Sequence, residues 1–151
     1  MDAVAIDLDG ALGDTRPLWR DWVEDVSRRA RLEIELPGDR GEAAALLDEA
    51  LPNWRDLLTR FAEDRAPVYL RPDAGAAAAL RRLSAEGARI GVFTDAPEPL
   101  ARVALAHLGA SRRIDALETG SGALERLLAS LGPDAHVLRS AAELSVQSQG
   151  G

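Results

Sequence analysis

Asp7 and Asp9 stand one residue apart where the short apolar run Ala3-Val4-Ala5-Ile6 gives way to Asp7-Leu8-Asp9-Gly10. On a straight strand side chains alternate, so two carboxylates at this spacing point to one face. Charges of one sign that close raise a pKa unless a cation or hydrogen-bond donors share the site. Magnesium, which prefers carboxylate and water oxygens in octahedral geometry, is the usual solution when phosphate is also bound. Spacing alone leaves a second reading open, in which the two aspartates only terminate a strand. Gly10 suits a loop that must turn sharply or approach a ligand.

The elements that must hold this pair can be read from the hydrophobic pattern. Residues 1–9 read as a first strand. From Pro17, the positions Leu18, Trp19, Trp22, Val23 and Val26 repeat at helical spacing, with Pro in the first turn, and predict a helix to about Leu32. Beyond Pro37-Gly38-Asp39, the sets Ala43, Leu46, Leu47, Ala50 and Trp54, Leu57, Leu58, Phe61 repeat helically again. Residues 16–65 are therefore expected to be all-helical.

A helix over Asp73–Glu86 then leads into the apolar run Ala88–Phe93, which stops at the polar group Thr94-Asp95-Ala96-Pro97. Another helix closes at Gly109, a short strand is expected at Ile114–Leu117, a helix follows through Leu131, and a fourth strand at Ala135–Leu138. The polar tail Ser145–Gly151 is expected to fray. Strand, helical insertion and helix-strand repeats together predict a parallel α/β sheet interrupted after its first strand. Ligand sites in such sheets lie beyond the carboxyl ends of the strands, which singles out Asp7, Asp9, Thr94, Asp95 and whatever follows Leu138.

Composition excludes several function classes. The 151 residues allow one domain, or one carrying a small insertion. All 18 basic residues are arginine, so no catalytic lysine exists, and 25 acidic residues bring the net charge to −7, which disfavours a nucleic-acid partner. Cysteine is absent, removing disulfides, thiolate metal sites and thiol nucleophiles. Neither a membrane span nor an N-terminal targeting segment is legible, and a cytoplasmic location without membrane partners is expected.

The segment Asp7-Leu8-Asp9-Gly10-Ala11-Leu12-Gly13-Asp14-Thr15 resembles the first motif of the haloacid dehalogenase-like (HAD) hydrolases, Asp-x-Asp-Gly-Thr-Leu. Tyr69-Leu70-Arg71-Pro72-Asp73, the strand ending in Thr94-Asp95, and Leu108-Gly109 are similar to the family's following segments, and the helical block sits where a small α-helical cap is inserted. The resemblance implies an α/β three-layer, Rossmann-like core (1–15 and 66–151) with a helical cap (16–65). It also implies that Asp7 is a nucleophile forming an aspartyl phosphate, that Asp9 is the acid/base, and that Thr94 binds phosphoryl oxygens, with Asp95 beside it.

Two family features are missing. The segment Glu118–Ala123 is short and lacks the basic residue of the third motif. In Val137-Leu138-Arg139-Ser140-Ala141-Ala142-Glu143, Arg139 occupies the place of the aspartate that holds magnesium in the family. A guanidinium there repels the ion, leaving Asp7, Asp9 and Glu143 as a weak or absent metal set. Arg139 either reaches between Asp7 and Asp9 as a fixed counter-charge, with donors able to fork onto carboxylate or phosphate, or pairs on the surface with Glu143. Ala11 also replaces a family threonine, and the chain stops soon after the fourth motif, so a truncated four-stranded sheet with one poorly covered edge, or a partial gene product, is expected.

The leading expectation is a degenerate HAD-like hydrolase, its phosphatase activity weak or lost, serving as a small-molecule or protein-binding module. The competing one is a working phosphomonoester hydrolase acting through Asp7, with Arg139 replacing the missing cations. A small phosphorylated or acidic ligand, a protein partner and a homodimer are each compatible with the chain. Gly120-Ser121-Gly122 reads as a turn and helix start, His107 and His136 as structural residues, and Trp19, Trp22, Trp54 and Phe61 as a small core of the helical block. Arg16 and Arg20 are expected on a solvated helix face.

Overall fold

Strand β1 (Ala3–Asp7) buries Val4, Ala5 and Ile6 in succession, so both of its faces are covered, as in the interior of a parallel sheet. In the computed structural model, which describes residues 2–149, β1 lies between β2 (Arg89–Thr94) and β4 (His136–Leu138), and β3 (Ala116–Thr119) completes the order β3-β2-β1-β4. All pairings are parallel. Ile6 stands opposite both Val92 and Leu138, and Asp7 stands opposite Phe93. The carboxyl ends of β1 and β2 therefore coincide, bringing Asp7 beside Thr94.

Helices cover both faces, which makes this a Rossmann-like α/β core. Helices α4 (Ala74–Ala85), α5 (Glu98–His107) and α7 (Ala141–Gln149) share one core with Val4, Ile6, Ile90 and Val92. Helix α6 (Ala123–Leu131) lies on the opposite face, where Leu127 and Leu131 pack on Ala5 and Phe93. Gly91 permits that approach, since a Cβ there would lie 2.6 Å from Leu127 Cδ1 and 2.9 Å from Leu131 Cδ1.

Between β1 and α4 the chain forms three helices, α1 (Arg16–Arg29), α2 (Arg40–Ala50) and α3 (Trp54–Tyr69). Trp22 and Trp54 are fully buried at its centre, with ring centroids 6.1 Å apart, and Trp19 lies 5.2 Å from Trp22. The Trp54 indole N–H donates to Asp48 at 2.8 Å, which satisfies the polar edge of a buried ring. Ala96 and Leu100 of the core join this cluster, so the insertion and α5 share apolar packing.

Several boundaries differ from the sequence expectation. Helix α3 continues to Tyr69 through Pro67 rather than ending near residue 65, because the apolar face carries on through the buried Ala66. Strand β3 begins at Ala116, two residues later than expected. The tail does not fray from Ser145: α7 extends to Gln149, held by buried Leu144 and by Ser148, whose hydroxyl accepts from Arg82 at 3.1 Å. Met1 of the expected first strand and the last two residues of the tail lie outside the described residues.

Candidate functional site

Leaving β1, the chain makes a tight turn through Leu8–Leu12, closed by Gly10 N–H to Gly13 O at 2.7 Å and Gly13 N–H to Leu8 O at 3.0 Å. Gly10 adopts φ +124°, which an L side chain rarely adopts, and a Cβ there would lie 2.6 Å from the Arg139 carbonyl oxygen. The turn separates the two carboxylates that a straight strand would have aligned. Asp7 stays at the strand end, its Oδ1 accepting from the Asp9 N–H at 3.1 Å. Asp9 swings under the start of α1.

There Asp9 is enclosed. Its Oδ1 accepts from the Thr15 N–H at 2.7 Å and the Thr15 hydroxyl at 2.6 Å. Its Oδ2 accepts from the Thr94 hydroxyl at 2.8 Å and from Arg40 Nη2 at 2.7 Å. Each oxygen thus has two donors, the full complement of a carboxylate. Burial pushes its pKa up, but the Arg40 charge together with the Thr15 and Thr94 hydrogen bonds outweighs that and holds it below the ordinary value.

Asp7 has the opposite fate. Burial, followed by the negative charge of Asp9, raises its pKa, against a smaller lowering by the Asp9 N–H and by Arg139. Its Oδ2 faces Arg139 Nη1 at 3.7 Å, and that guanidinium also lies over Phe93, 5.5 Å from the ring centre. Neither arrangement considered for Arg139 is found: its guanidinium, 57% exposed, does not reach between Asp7 and Asp9 but meets Asp7 alone. Glu143 bonds the Arg139 backbone N–H at 3.4 Å, not its guanidinium.

Thr94 is buried, and its hydroxyl, donating to Asp9, also accepts from the Ala96 N–H at 3.1 Å. Asp95 is exposed and takes Arg40 Nη2 at 2.6 Å. Glu143 does not face the carboxylates but caps α7: its N–H donates to Ser140 Oγ at 3.1 Å, and its carboxylate turns back to Ser140 and the Arg139 N–H. Arg16 pairs with Asp14 at 2.8 Å in solvent. His107 bonds the Leu70 carbonyl at 3.0 Å, a structural contact.

Sequence reasoning missed Thr15 and, above all, Arg40. Two signals pointed to Arg40. It lies in the first turn of α2, where a cation opposes the helix dipole, and it shares the buried stripe with Ala43 and Leu47, where a charge requires partners.

A cavity of about 450 Å³ opens over the strand ends, with Asp7, Asp39, Asp95, Glu125 and Arg139 in its walls. The Gly120–Gly122 turn forms another wall, with φ +79° at Gly120 and +75° at Gly122, and Arg126 Nη1 fixes it by donating to the Ser121 carbonyl at 2.6 Å. Magnesium, the ion the resemblance implies, does not fit the donors present. The Asp9 carboxylate has no acceptor position left, Glu143 is a helix cap, and Arg139 brings positive charge where a carboxylate would be needed. Among the described residues, no group of three or more His, Asp or Glu side chains is arranged to hold a metal.

A parallel sheet interrupted by helices after its first strand, with paired aspartates at that strand's end, defines a class of Rossmann-like hydrolase folds. The family model described as haloacid dehalogenase-like hydrolase matches residues 1–143, and the chain belongs to that family. CbbY from Rhodobacter sphaeroides, crystallised with phosphate, is similar in fold at TM-score 0.67 and 17% identity, over 99% of this chain and 83% of that one. A HAD phosphatase from Thermococcus onnurineus is similar at TM-score 0.54 and 19% identity, over 99% of each chain. No curated protein matches the sequence.

Proposed function

We propose that this HAD-family chain has lost most or all metal-dependent phosphatase chemistry and keeps its strand-end cavity as a binding pocket for a small molecule or a protein group. The observation that carries this reading is the state of Asp9. A residue that must protonate a leaving oxygen needs its proton near neutral pH, whereas Asp9 is held ionised by Arg40, Thr15 and Thr94. Thr94, whose hydroxyl would receive phosphoryl oxygens, is committed to Asp9 and the Ala96 N–H. The Arg139 guanidinium facing Asp7 further disfavours a divalent ion.

A second reading is favoured by Asp7 itself, which lines the cavity with its Oδ2 3.7 Å from Arg139 Nη1. In that reading Asp7 still attacks phosphorus to form an aspartyl phosphate, with Arg139 as the counter-charge.

One assay separates the two: hydrolysis of a generic phosphate monoester by the parent chain and by Asp7→Asn, with and without magnesium. The binding-module reading expects no magnesium-dependent turnover above the Asp7→Asn level. Steady turnover that the substitution abolishes would overturn it.

A further inference from the structure

Arg40 is the one charged residue that is buried as a whole among the described residues. It belongs to the insertion, yet both carboxylates that its guanidinium meets belong to the core. Nη2 bridges Asp9 Oδ2 at 2.7 Å and Asp95 Oδ1 at 2.6 Å, joining the ends of β1 and β2, while Nη1 donates to Thr15 Oγ1 at 2.8 Å at the start of α1. The partners lie 31, 55 and 25 residues away in sequence. Taking a guanidinium out of water costs several kcal/mol unless ionised partners surround it, and Asp9, only 8% exposed, is such a partner.

Asp7, Asp9 and Asp95 converge on two adjacent strand ends, and the repulsion among them requires a cation close by. Arg139 is 57% exposed and meets only Asp7, whereas Arg40 is 4% exposed and meets the other two. The fork of arginine suits this seat, because two nitrogens of one side chain anchored on α2 meet three acceptors.

We infer that Arg40 is a tethered cation: it takes over the neutralising part of a divalent ion at the strand ends and, in doing so, latches the helical insertion shut on the core. The chain thus carries its own ligand for the Asp9–Asp95–Thr15 seat, and that seat is selective for a guanidinium. This deepens the reading of a metal-independent site and rests on it.

The test removes the tether and returns the cation. Arg40→Ala is expected to lower the melting temperature by roughly 5–10 °C. Methylguanidinium at about 20 mM is expected to restore part of that loss, as a ligand that binds only the folded state does. The parent and Arg55→Ala, which breaks the exposed Arg55–Asp48 pair, serve as controls and are expected to show no gain. Cleavage by proteinase K in the connection 30–39 should quicken in Arg40→Ala and slow again with methylguanidinium. An unchanged melting temperature, absent rescue, or equal rescue in Arg55→Ala would overturn the inference.

If Arg40→Ala does not fold, Arg40→Lys decides. A lysine keeps the charge without the fork, so the variant is expected to melt below the parent, and one that melts at or above it would overturn the inference. Failure of the underlying reading shows separately, as magnesium-dependent turnover by the parent chain.

Discussion

The Asp9 backbone N–H donates to Asp7 Oδ1 at 3.1 Å, yet the two carboxylates it joins are shifted in opposite directions from their ordinary value. Asp7 is raised, chiefly by burial and by the charge of Asp9. Asp9 is lowered, because Arg40, Thr15 and Thr94 outweigh its burial. Environments that part a pair of titratable groups set the order in which they ionise; here Asp9 ionises before Asp7 as pH rises, whereas the resemblance implies Asp9 as the acid/base.

Asp7→Asn is expected to stabilise the fold at neutral pH. The folded pKa of Asp7 lies above its unfolded value, so its favourable contribution is complete below the unfolded value and is lost as pH rises through the folded one. At pH 7 the ionised side chain therefore opposes folding. Asparagine should raise the melting temperature by roughly 2–4 °C, and the gain should shrink as pH falls toward 4.

Asp9→Asn should do the reverse. The folded value of Asp9 is depressed, so its contribution is present above the unfolded value and is lost as pH falls through the folded one. Urea unfolding at pH 7 should show a loss of about 2–4 kcal/mol, since a buried guanidinium loses its ionised partner. The gap between parent and variant should close below the ordinary carboxylate range.

Arg139→Ala removes the guanidinium that faces Asp7. A carboxyl carbon NMR titration should place the Asp7 pKa higher in the variant than in the parent, because a lowering charge has gone. An unmoved Asp7 titration would show that the 3.7 Å approach carries no electrostatic weight.

Gly10→Ala should cost about 2–4 kcal/mol in urea unfolding, combining an unfavourable φ with a clash against the rigid Arg139 carbonyl. Gly109→Ala is the control. Its φ of +73° is also left-handed, but nothing lies within 4 Å of the added carbon, so a loss of about 1 kcal/mol is expected.

The sequence carried the sheet and half of the site. The apolar runs of β1 and β2 end in polar residues, and parallel pairing of Asp7 with Phe93 sets those ends side by side, so Asp7, Thr94 and Asp95 were legible as neighbours. Their partners were not. Arg40 reaches Asp9 and Asp95 only because the insertion folds back over the strand ends, a long-range arrangement that helical periodicity does not encode. Ser140 and Glu143 have capping-box spacing, but their place in a metal motif hid that simpler role. The helical tail was obscured by its polar composition, since its order comes from Leu144 and Ser148 packed against the core.

On the proposed reading arginine, not a divalent ion, neutralises the strand-end carboxylates. Calorimetric titration of the parent chain with magnesium at neutral pH tests it most directly. The account predicts no saturable binding at millimolar concentrations. Stoichiometric binding that disappears in Asp7→Asn would contradict it.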